Sequence, residues 1–129
     1  MRIQPTPVDP PELHHSPAFA QGMIAPAGPT LYIGGQNGTD GEGALLDGLE
    51  AQTEQALRNV LAVLAEAGAD QSDVVRLAVY LVDGESVDEG YAASAKVWGM
   101  NPTALTVIIV PRLGRPDALV EIEAVAALE

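Results

Sequence analysis

The segment Thr103–Val110 reads as a β-strand with apolar side chains on both sides, and this limits the possible folds more than any other stretch. Strand alternation puts Leu105, Val107 and Ile109 on one side and Ala104, Ile108 and Val110 on the other. Such a strand has to be covered on both faces. The chain has 129 residues, enough for one domain with one modest core. Only two helical patterns are available, and two helices cover one face of a sheet. Cover for the second face is therefore expected from another copy of the chain, with closed cyclic symmetry as the default. A monomer would leave an aggregation-prone apolar patch.

The remaining elements follow from periodicity and punctuation. Residues 1–18 carry Pro5, Pro7, Pro10, Pro11 and Pro17 and are expected to form an extended, irregular arm ahead of a domain spanning 19–129. Ala20–Ile24 and Thr30–Gly34 read as two short strands joined into a hairpin by Ala27-Gly28-Pro29. A helix follows, with Asp47 as its cap, Glu50 completing a capping box, and Gly68 as its stop. Leu49, Thr53, Ala56, Leu57, Val60, Leu61, Leu64 and Ala67 recur along it at helical spacing, while Glu54, Arg58 and Glu66 take the opposite side. Val74–Val82 is predicted as a strand, with Val75, Leu77, Val79 and Leu81 facing one way and Val74, Arg76, Ala78 and Tyr80 the other. A second helix is expected over Val87–Trp98, stopped by Gly99, with strands at Thr103–Val110 and Leu119–Ala127. The order β-β-α-β-α-β-β is an α+β arrangement, a mixed sheet with both helices on one face.

Charge and composition exclude several functions. Eighteen acidic against six basic residues give a net charge of −12. Arg2, Arg58, Arg76, Lys96, Arg112 and Arg115 are scattered, so no cationic patch is expected and nucleic acid is not an expected partner. With no cysteine, disulfides, thiolate metal sites and a cysteine nucleophile are ruled out. No apolar run is long enough to span a membrane, and the N-terminus lacks a basic-then-apolar leader. A cytoplasmic location is therefore expected. The glycine-rich stretch 34–43 has no Lys-Ser/Thr after it, and Asp40 and Glu42 would repel an anion, so it reads as turns rather than a phosphate loop. His14 and His15 lie in the proline-rich arm with no third ligand nearby, so no metal site is expected. Trp98 reads as core, and Arg112 and Arg115 as solvated.

The last strand carries the strongest candidate for chemistry. Val120, Ile122, Ala124 and Ala126 take its core face, leaving Glu121 and Glu123 together on the other, about 7 Å apart. Two readings stay open for these carboxylates. One is a pair of rim residues, solvated or ion-paired with Arg76 or Arg112. The other is a general base, favoured by partial burial, that positions a water molecule.

Several segments in order resemble the Rid family (YjgF/L-PSP, RidA-like). They are Tyr32-Ile33-Gly34-Gly35-Gln36, Gln52-Thr53-Glu54-Gln55-Ala56-Leu57, Ala67-Gly68-Ala69, Asp73-Val74-Val75 and Val120-Glu121-Ile122-Glu123-Ala124-Val125-Ala126. The resemblance covers about residues 16 to 127. It implies a chorismate-mutase-like fold, a homotrimer, and ligand clefts between subunits. It also implies cofactor-free hydrolysis of reactive 2-imino or enamino acids to a 2-keto acid and ammonia. In the family pattern an arginine of a Pro-Ala-Arg motif holds the substrate carboxylate, and the first glutamate of Glu-Ile-Glu places the water. Here that glutamate matches Glu121, while the arginine position holds Ala104. A family tyrosine matches Phe19, and the serine of Ser-Gly-Gln matches Gly34. The expected ligand-binding positions are thus Phe19, Gly34, Ala104 and Glu121, with Glu121 the catalytic candidate. Losing the guanidinium costs about ten- to a hundredfold in carboxylate binding. The expectation is a trimer binding a small metabolite, without efficient imine deamination. The alternatives are a deaminase using a substitute cation, and a non-catalytic regulatory or binding protein. A ribonuclease fits neither the charge nor the position of the histidines.

Overall fold

The computed structural model describes residues 3–129; Met1 and Arg2, the start of the arm, lie outside the described residues. The elements are β1 (Thr6–Val8), β2 (Gly22–Ile24), β3 (Thr30–Asn37), α1 (Leu49–Glu66), a short 3-10 turn (Gln71–Asp73), β4 (Val74–Val82), α2 (Val87–Trp98), β5 (Ala104–Val110) and β6 (Val120–Ala127). The main sheet has the order β3-β6-β4-β5. Strands β4 and β5 run parallel, and the other pairs are antiparallel. The fold is α+β, with α1 and α2 side by side on one face of the sheet. No helix is long and apolar enough to cross a membrane among the described residues.

The core lies between α1 and the middle of the sheet. Leu57, Val60 and Leu64 of α1 are buried against Ile122, Ala124 and Ala126 of β6 and Leu77 and Leu81 of β4. This follows from the 3.6-residue period on the helix and the 2-residue period on the strands. Trp98 closes the end of α2 in the core, its indole N–H donating to the Asn101 carbonyl at 3.0 Å.

Several local expectations are corrected, among them the loop expected from Gly34, since β3 continues to Asn37. The hairpin between the first two predicted strands does not form: β2 pairs instead with β1, in the register Thr6↔Ile24 and Val8↔Gly22, as a separate two-stranded ribbon. Pro26 just before the intended turn and Pro29 at its end offer no donors for a ladder there. The arm is therefore ordered over residues 6–8 rather than irregular throughout. Asp47 does not cap α1; the N-cap is Gly48, at φ 88°, with no side-chain capping bond. Glu50 turns to Lys96 of α2 instead, at 2.5 Å. Val74 does not share a face with Arg76, because a register shift between them turns Val74 into the core, where it is 1% exposed. Thr103 precedes β5 rather than starting it, buried with its hydroxyl donating to the Val74 carbonyl at 3.0 Å.

The capping assignment is checkable. Ser86 caps α2 by accepting from the Glu89 N–H at 3.1 Å. Urea denaturation is expected to show Ser86→Ala losing about 1 kcal/mol. Asp47→Ala is expected to stay within about 0.5 kcal/mol of the parent, as for an exposed residue without a special contact.

Candidate functional site

The sheet face away from the helices is open, and its side chains lie in register rows. Ala104, Arg76 and Val125 form one row, and Tyr32 of β3 extends it. Thr106, Ala78 and Glu123 form the next, and Ile108, Tyr80, Glu121 and Asn37 another. Alternation along β6 thus puts Glu121, Glu123 and Val125 on this face, half-buried, while Val120, Ile122 and Ala124 are buried beneath.

Glu121 is held by groups that sequence reading did not single out. Its carboxylate accepts from the Asn37 side-chain amide at 3.2 Å. Asn37 is kept in place from behind by α1: the Asn59 amide donates to the Asn37 and Thr39 carbonyls at 3.1 and 3.0 Å, and Gln55 donates to Asn59 at 2.9 Å. The β3 ladder breaks between Ile33 and Gln36, leaving Gly34 and Gly35 without register partners on β6. The Glu121 carboxylate rests in the gap this makes. A Cβ on Gly35 would stand 2.1 Å from Glu121 Oε2, so any other residue there displaces the carboxylate. Nothing in the local sequence signals Asn37 and Asn59, because their partners lie up to 84 residues away.

Glu123 has a different partner. The Tyr80 hydroxyl donates to it at 2.5 Å, which holds the phenol above its ordinary 10.0, helped by desolvation and by the negative field of both glutamates and opposed by Arg76. Neither glutamate forms an ion pair with Arg76 or Arg112 among the described residues. Arg115 is engaged elsewhere, donating to the Gly43 carbonyl at 2.6 Å and facing Asp117 at 3.5 Å.

The four sequence-predicted positions fall into two groups. Ala20 donates its N–H to the Thr103 carbonyl at 3.0 Å and bridges to Ala104, which brings Phe19 to the start of β5. Gly34 and Glu121 lie together on β3 and β6. Ala104 and Glu121 are two strands and four residues apart, about 10 Å across and about 13 Å along the sheet, or about 16 Å in all. One small molecule does not span that distance. Arg76 is the immediate register neighbour of Ala104, exposed and on the same face, and shares an open depression with Tyr32, Gly34 and Glu123. Among the described residues no group of three His, Asp or Glu side chains is placed to hold a metal.

A family described as Endoribonuclease L-PSP matches residues 12–128. The chain belongs to this family, the Rid (YjgF/L-PSP) family. It is 36% identical over 105 residues to a RutC family protein of Pyrococcus horikoshii, covering 80% of this chain and 82% of that one. It is 35% identical over 122 residues to the human 2-iminobutanoate/2-iminopropanoate deaminase, covering 86% of each. Among solved structures, the Rid protein YyfB of Yersinia pestis matches with a TM-score of 0.87 at 34% identity, over 98% of this chain and 100% of that one. The mixed sheet carrying both helices on one face is thus the Rid fold.

The Tyr80–Glu123 pair gives a test by pH. The phenol is raised in the folded chain, so its contribution to stability is present below the ordinary value and is lost as pH rises through the raised one. Ultraviolet titration should show one tyrosine step above 10.0, and Glu123→Gln should bring it down.

Proposed function

We propose that this Rid protein assembles as a homotrimer and binds a small metabolite in the clefts between copies, with Glu121 as the group that orients water or a ligand donor. The observation that carries this is the division of the candidate site, with Phe19 and Ala104 at one end of the open face and Gly34 and Glu121 about 16 Å away. Packing a second copy against the open face brings unlike ends together. The exposed edge supports the same reading: Val107, Ile108 and Ile109 are 45%, 37% and 50% exposed, with no strand beyond them among the described residues. With alanine at position 104 the cleft lacks a guanidinium where the family pattern has one, and imine hydrolysis is slow.

A second reading, imine deamination like that named for the human relative, is favoured by one observation. Arg76 stands one strand from Ala104 on the same face without an ion pair among the described residues. In that reading Arg76 holds the substrate carboxylate. Glu121 of a neighbouring copy takes a proton from water as the water oxygen adds to the imine carbon, and passes that proton to the nitrogen. The added hydroxyl then gives up its proton to the nitrogen as the C–N bond breaks, giving a 2-keto acid and ammonia. Ribonuclease action, which the family's description names, is opposed by the net charge of −12 and by the two glutamates on the open face.

Sedimentation should give a trimer, and a well-behaved single subunit would overturn the assembly. An amino-acid oxidase can supply a 2-imino acid, with semicarbazide trapping what is not hydrolysed. The expectation is little diversion from the trap by the parent chain and a gain of about tenfold or more in Ala104→Arg. Strong diversion by the parent, lost in both Arg76→Ala and Glu121→Ala, would establish the second reading instead.

A further inference from the structure

The other side of the sheet holds a cavity that the proposed cleft does not use. It lies between α2 and the strands β4, β5 and β6, with a volume of about 150 Å³. Leu77, Leu81, Leu105 and Ile122 form its floor, and Gly90 and Ser94 of α2 its roof. None of the residues that line it is charged. The cavity exists because α2 presents small residues to large apolar neighbours. Gly90 is the clearest case: it sits inside the helix, and nothing lies within 4 Å of where its Cβ would stand. Glycine at a helix interior is unfavourable and leaves a void that a larger residue would fill.

A second, independent observation points to a ligand. Thr53 lies in the cavity wall, 1% exposed, and its hydroxyl has no hydrogen-bond partner. Three neighbouring polar side chains are satisfied. The Ser94 hydroxyl donates to the Gly90 carbonyl at 2.8 Å, the Thr103 hydroxyl to Val74, and the Trp98 indole to Asn101. Buried hydroxyls without partners are rare and costly in native proteins. Tyr91 and Met100, 57% and 72% exposed, stand at the edge of the cavity and offer an apolar entrance.

We infer that this cavity is a binding site for a small, uncharged, mostly apolar molecule carrying one hydrogen-bonding group, seated against the Thr53 hydroxyl. An apolar cavity of about this volume takes a molecule of benzene size. The sheet and α2 bury such a molecule on the inner sides, leaving the entrance at Tyr91 and Met100 open, and Thr53 supplies the one polar contact that selects among such molecules. This site lies on the helix side of the sheet and stands whether or not the open-face reading does.

Phenol and benzene are suitable probes, with binding to the intact assembled chain measured by calorimetry and thermal shift. Both should bind saturably, phenol about tenfold more tightly than benzene. Thr53→Val keeps the volume and should abolish that preference while benzene still binds. Gly90→Leu fills the cavity and should abolish binding of both; Ser94→Leu serves the same purpose if that variant does not assemble. Absence of saturable binding by either probe overturns the proposal, as it would if a segment of a neighbouring copy filled the space. It is equally overturned if both probes bind as tightly to the filled variant, or if the phenol preference survives Thr53→Val.

Discussion

Strand β5 ends the sheet with apolar side chains on both faces and most of its backbone edge open, and this incompleteness governs the rest of the molecule. The segment ending at Ala20 covers the edge only at Ala104, through one hydrogen bond to Thr103. From Val107 to Ile109 the strand remains exposed. An edge of this kind either recruits a partner in a defined geometry or aggregates. Both helices are spent on one face, so the other is left free to become a seam. Placing function at such a seam ties the site to assembly: Glu121 and Ala104 belong to one chain but are too far apart to act on one small molecule within it.

Glu121 and Glu123 show how neighbouring carboxylates on one strand come to differ. Both are half-buried and face the same way. Glu123 is tied to Tyr80 within the sheet, so its hydrogen-bonding capacity is partly used internally. Glu121 is steadied from one side by Asn37, which α1 holds through Asn59, while its other oxygen lies over Gly35. A carboxylate fixed by an amide and bordered by backbone with no Cβ is held in position without an ion pair among the described residues. That arrangement suits a group that must present an acceptor to a ligand or to water.

What could be read in the sequence was what depends on local period. The limits of β4 and α2, the burial of Trp98, and the outward facing of Glu121 and Glu123 follow from alternation, helix spacing and Gly99. Most of the misreadings reflect competition from contacts distant in the chain. Asp47 has the right spacing for a capping box, but Gly48 takes the cap and Glu50 pairs with Lys96 across to the other helix. The predicted hairpin lost to a ribbon with the arm, and the face of Val74 was reversed by a bulge that only the pairing with β6 reveals. The support of Glu121 by Asn37 and Asn59, and the placing of Arg76 beside Ala104, are facts of register. A one-residue slip would remove them without changing any local pattern.

The position of Arg76 bears on which ligand the seam suits. It lies one strand spacing, about 4.8 Å, from Ala104, on the side toward β6. There it shares its surroundings with Glu123 and feels the field of a chain whose net charge is −12. A carboxylate approaching Arg76 also approaches Glu123, and the two negative charges oppose each other. An uncharged ligand, or one with a donor directed at the glutamates, meets no such opposition. On the proposed reading, a cation on β4 beside Glu123 favours neutral or donor-bearing ligands over simple imino acids.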